Sequence, residues 1–133
     1  MKTAMTEGAR LTGNGKALVV TLFFRLLFGG YLAGMDQYRY NDIESALSVL
    51  LIYGLFGIFA ALFLLGKRYG LVGLMGLSVL HIIAQSAYVI WFLGLTTIDA
   101  SIHNPVENWW AVLLIYLFAA LTLIFSFRAY RET

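Results

Sequence analysis

Residues Ala46 to Gly66 read ALSVLLIYGLFGIFAALFLLG, an apolar run without one charged side chain. A membrane core about 30 Å thick needs roughly 20 apolar residues in a helix, so this run is long enough to cross it. It ends in Gly66-Lys67-Arg68-Tyr69-Gly70, where glycines let the backbone reverse and two basic side chains hold the turn in water. A second apolar run, Leu71 to about Leu95, follows at once, so the pair predicts a tight antiparallel hairpin of membrane helices.

Working outward, Ala17 to Met35 and Glu107 to Phe127 are two further apolar stretches of spanning length. The first follows a polar segment carrying Lys2, Arg10 and Lys16. A cleavable signal would need small residues before its cut site, and the bulky Tyr31 stands at that place, so the stretch reads as a membrane helix. The fourth follows a polar loop through Asp99, His103 and Asn104 and opens near Pro105, whose missing N–H costs least at a helix start. The fold class expected is an all-α, up-and-down transmembrane four-helix bundle forming one domain over residues 1–133, with helices near 17–35, 46–65, 70–95 and 107–127.

Composition agrees. Of 133 residues, 61% are hydrophobic and 12% charged, too few polar side chains to cover a water-soluble globule. The net charge of +2 does not point to nucleic acid, because the basic residues sit at helix ends and form no stripe with interleaved aromatics. Seven of the nine, namely Lys2, Arg10, Lys16, Lys67, Arg68, Arg128 and Arg131, fall on one side of a four-crossing topology. The opposite loops hold Arg39 beside Asp36, Asp42, Glu44, Asp99 and Glu107. Basic loops stay cytoplasmic, so both termini are expected inside, in the plasma membrane of a prokaryote. There are no cysteines, which excludes disulfides and thiolate metal sites, and no nucleotide-binding or hydrolase motif occurs.

The ninth basic residue, Arg25, lies eight positions past Ala17, roughly 12 Å deep at 1.5 Å per residue. An arginine at mid-bilayer costs at least about 2.5–3.5 kcal/mol, so it must face other helices or a cavity. No acid shares its depth; the nearest in sequence, Asp36, lies about 16 Å further along and belongs to an outer loop cluster read as solvated. Small residues Gly29 and Ala33, at i+4 and i+8, with Gly30 and Gly34 alongside, are expected to let a neighbouring helix approach. On the third helix Ser78, His81, Gln85 and Tyr88 make one polar stripe at helical spacing, and His81 matches Arg25 in depth. Tyr53 and Tyr116 reach similar depth on the second and fourth helices.

These residues predict a buried polar cluster with two readings. Arg25, His81, Gln85, Tyr53, Tyr88 and Tyr116 form either a pocket for a small anion, lipid headgroup or quinone-type carbonyl, or internal glue that holds four helices in register. A lone imidazole is neither a metal site nor a haem site, so no cofactor is expected. An enzyme acting alone would need a general base besides His81, and none stands at that depth. The alternative to a binding or transport protein is an accessory or scaffold subunit that packs its small-residue faces on a larger membrane complex. Membrane lipids are partners in either case, and a large solute path would need a homo-oligomer.

The order of features resembles the DoxX-like group of small four-helix membrane proteins. Arg25-Leu26-Leu27-Phe28-Gly29 is similar to the Arg-Leu-Leu-Leu-Gly run that opens that family, and Gly54, Gly57 and Phe63 lead to Leu64-Leu65-Gly66 and a basic turn, as in its second helix. The chain departs from the family pattern after the first helix: Gly34 comes early and Gln37 stands where a lysine belongs. The resemblance implies the four-helix fold, Arg25 as a family feature and a link to membrane redox complexes through quinone-linked subunits.

Overall fold

A computed structural model describes residues 13–94 and 103–132 of the chain, and four helices carry them: α1 Gly13–Tyr38, α2 Ile43–Leu64, α3 Arg68–Leu93 and α4 Trp109–Arg131. Each is long and apolar enough to cross a membrane, and together they define an integral membrane protein. The helices extend a few residues beyond the expected bounds at several ends, because polar residues such as Asp36 continue the helical backbone past the apolar run. Neighbours in the bundle are α1 with α2, α2 with α3, α3 with α4 and α4 with α1, a square in up-and-down order.

Each connection has a local cause. Asp42 caps α2, its Oδ1 accepting from the Ser45 amide at 3.1 Å and its Oδ2 from the Ser45 hydroxyl at 2.8 Å. This bonding to Ser45 holds the exposed Asp42 carboxyl below its ordinary range. At the far end of α2, Gly66 adopts φ 84°, and its amide bonds Phe63 O at 2.9 Å while Lys67 N bonds Leu62 O at 2.9 Å, a Schellman stop that only glycine adopts without strain. Asn104, 1% exposed, starts the approach to α4: its Oδ1 accepts from the amides of Val106 and Glu107 at 2.9 and 3.2 Å.

The inner faces run at alternating spacings of three and four. On α1 the line is Leu18, Leu22, Arg25, Gly29, Leu32 and Asp36; on α2 it is Ala46, Val49, Tyr53, Phe56, Ala60 and Phe63. That spacing keeps one face on the partner helix as the bundle winds. Two apolar clusters result. One, near the termini, gathers Leu18, Leu22, Phe56, Phe63, Leu71 and Leu74; the other, near the two loops, gathers Phe28, Leu32, Val49, Tyr53 and Ile115. The outward faces carry large apolar side chains, among them Phe23, Leu51 and Ile90, which water would not tolerate and lipid does.

The small residues of α1 divide. A Cβ on Gly29 would stand 2.4 Å from the Tyr53 ring, and Ala33 is buried, so these two are packing positions. Gly30 and Gly34 meet nothing within 4 Å, contrary to the expected packing role, because a shift of one residue rotates them about 100° off the buried line. At the hairpin α3 lies directly on α2: a Cβ on Gly70 would meet Phe63 N at 2.6 Å, and one on Gly73 the Phe59 ring at 2.2 Å.

Candidate functional site

Arg25 sits between the two apolar clusters and is 0% exposed. Its Nη1 donates to Thr122 Oγ1 at 2.8 Å and to Ser78 Oγ at 3.2 Å, and its Nη2 donates to His81 Nδ1 at 2.7 Å. Thr122 accepts from the guanidinium and donates onward to Phe118 O at 2.6 Å. The guanidinium carbon lies 3.6 Å from the Phe56 ring centre, a cation on an aromatic face. All four helices thus meet on one side chain. Arg25 Nε is buried and unpartnered, and no carboxylate bonds to this group among the described residues.

The bond to His81 fixes more than position. A guanidinium has only donors, so His81 Nδ1 must accept, and the imidazole then carries its proton on Nε2. Nε2 has no protein partner among the described residues. It lies on the ring edge opposite Nδ1, and His81 is part of the wall of a cavity of about 410 Å³.

That cavity opens between α2 and α3. Along α3 the inward line begins with the buried Leu71, Leu74 and Ser78 and then changes character: His81, Gln85 and Tyr88 line the cavity instead of a helix. Ser45, Ser48, Val49, Ile52 and Tyr53 face them from α2, and Leu32 and Ile115 close the back. The opening follows from the glycines: Gly70 and Gly73 bring α3 onto α2 near the turn, and the two helices part beyond Ser78. Among the described residues Gln85 and Tyr88 have no hydrogen-bond partner, so with the Nε2 edge of His81 one face of a membrane helix presents polar groups to the cavity over roughly 10 Å of rise. Tyr53 also lines the cavity, its hydroxyl buried and unpartnered and its ring edge-on to His81 at 5.8 Å between centres.

Of the residues expected to meet, Arg25 and His81 bond directly, and Tyr53, Gln85 and Tyr88 join His81 around the cavity. Tyr116 does not: it shares a 2.8 Å hydrogen bond with Ser86 between α3 and α4. Thr122 and Phe56 belong to the site without having been expected there. Thr122 had a signal, since it continues the small buried line Ala111, Ala119, Thr122, Ser126 and Ala129 on α4. Phe56 had none. Near the loops a second expectation changes. Asp36 is not in a solvated loop but on α1, 0% exposed, its Oδ2 bonded to His103 Nε2 at 2.7 Å. His103 and Glu44 form the outer rim of the cavity, and Asp99 lies outside the described residues.

No protein-family model matches the chain, and no curated protein or solved structure matches it either.

Proposed function

We propose that this chain binds, and in an assembly moves, a small amphiphilic molecule from the membrane in the cavity between α2 and α3. Its polar head rests on His81, Gln85 and Tyr88, and its apolar part lies against Leu32, Val49, Ile52, Ala84 and Ile115. The observation that carries this reading is one face of a membrane helix on which, among the described residues, Gln85, Tyr88 and the Nε2 edge of His81 have no protein partner and line a cavity. Hydrocarbon satisfies none of them, and each unpaired polar group there is costly, so a ligand or water must. The mixed walls suit a head and a chain together. Positive loops set both termini inside the plasma membrane, so the cavity rim at Glu44 and His103 faces outward. The likeness of residues 25–29 to the DoxX-like opening run is in keeping with Arg25 as the anchor of such a site.

Native mass spectrometry from detergent tests the proposal. The wild-type chain is expected to retain a bound small molecule, and Gln85→Leu with Tyr88→Phe to lose it while still folding, because neither side chain bonds to the described residues. Equal retention by both would remove the cavity as the binding site. The accessory reading has one observation of its own. Gly54 and Gly57 on α2 meet nothing within 4 Å, a smooth outer face on which a larger membrane partner can pack. Copurification of that partner, lost in Gly57→Leu, would favour it.

A further inference from the structure

The cavity has a charge behind its wall. Arg25 is buried at mid-depth, its hydrogen bonds go to Ser78, Thr122 and His81, and no acid neutralises it among the described residues. The acid of α1, Asp36, is turned to His103, and Glu44 on the cavity rim is exposed to solvent that screens it. His81 both bonds Arg25 and lines the cavity. Its Nδ1 takes the guanidinium proton donor, and its Nε2–H faces the opposite way.

Resting on the binding reading above, we infer that the head this cavity selects is an anion, a carboxylate or phosphate monoester on a single acyl or alkyl chain, held by the ε N–H of His81 with Arg25 as its counter-ion one imidazole away. Arg25 is a positioning residue here: it touches no ligand, fixes the His81 tautomer and supplies the charge. A neutral carbonyl gains the same hydrogen bond without the Coulomb attraction. An ammonium meets a donor and a cation, and is disfavoured on both counts. The anion and the guanidinium stand on the order of 7 Å apart, which at an effective dielectric constant of about 20 gives the anion a preference of roughly tenfold to fiftyfold over the neutral head. The cavity of about 410 Å³ has apolar walls for one chain.

Binding is measured with tritiated decanoate and tritiated methyl decanoate on the full chain in nanodiscs of zwitterionic phospholipid, with decyl phosphate and decylamine as competitors. Decanoate is expected to bind at least about tenfold more tightly than its methyl ester. Decyl phosphate and unlabelled decanoate are each expected to displace tritiated methyl decanoate, and the stronger of the two competitors identifies the head as phosphate monoester or carboxylate; decylamine is expected not to compete. Arg25→Gln is expected to bring decanoate down to the level of the ester while leaving the ester within about threefold. Should that variant fail to fold, the comparison of heads on the wild type still decides. Equal affinity for acid and ester, both lost on blocking the exposed mouth with Ala84→Phe, would overturn the anionic head and leave the cavity reading standing. If no probe binds, or Ala84→Phe changes nothing, the cavity reading falls and this inference with it.

Discussion

Replacing Tyr53 by Phe separates stability from binding. The side chain is 6% exposed, its ring covers Gly29 and faces His81 and Phe56, and its hydroxyl is buried without a partner. Phe keeps every ring contact and deletes only the orphaned hydroxyl. A buried polar group without a partner costs about 1–3 kcal/mol, but a chain unfolded within a membrane also finds partners for its polar groups, which draws the figure toward the lower end. Tyr53→Phe should therefore stabilise the unliganded protein by about 1 kcal/mol, roughly a fivefold gain in the folded-to-unfolded ratio. Reversible unfolding by sodium dodecyl sulfate in mixed micelles, followed by circular dichroism, reads this as a midpoint shifted to higher detergent fraction. If the bound head also uses that hydroxyl, affinity falls as stability rises, which is the trade-off expected of a strained binding site. A loss of more than about 1 kcal/mol on Tyr53→Phe would mean instead that the hydroxyl has a partner in the folded chain.

Thr122→Val leaves Arg25 Nη1 with only the longer bond to Ser78 and should cost about 1.5–3 kcal/mol in the same titration, whereas Thr122→Ser keeps the acceptor and should cost under about 1 kcal/mol. Gly70→Ala forces a methyl onto backbone atoms of α2 and should destabilise by at least about 1–3 kcal/mol, while Gly57→Ala meets open space and should be neutral or gain up to about 1 kcal/mol from helix propensity. Asp42 contributes stability above the ordinary carboxylate range and loses it as pH falls through its lowered value, so the thermal midpoints of wild type and Asp42→Asn should converge as pH falls below about 4. Because the chain has no cysteine, single substitutions report orientation cleanly: an impermeant maleimide should label Asn41→Cys on intact cells and Lys67→Cys only after lysis.

Much of this was legible in the residues. Four apolar stretches and the Gly66 turn define the bundle, because only a helix satisfies its backbone in hydrocarbon. Arg25 and His81 could be paired by counting depth from the helix ends, and the stripe through Ser78, His81, Gln85 and Tyr88 stands out because a helix repeats its face every 3.6 residues. Such counting fixes height and leaves lateral direction open. Helical spacing put Gly29 and Ala33 on the Arg25 face, but it could not choose Phe56 from the many side chains at that height. Tyr116 shares the depth of the site and faces Ser86 instead. Asp36 falls eleven residues after Arg25 on the same buried line, yet its partner His103 is 67 positions away beyond two helices, a pairing that no local period encodes.

Arg25 fixes His81 as a donor on the edge away from the guanidinium. Nitrogen-15 spectra of histidine-labelled protein in nanodiscs, with His103→Gln to assign the two imidazoles, test this most directly. His81 is expected to be a neutral ring protonated at Nε2, with Nδ1 accepting a hydrogen bond from a guanidinium proton, and Arg25→Gln to abolish that coupling. A proton found on His81 Nδ1 would contradict it, because the guanidinium would then have no acceptor there and the charge behind the cavity would no longer be linked to what binds inside it.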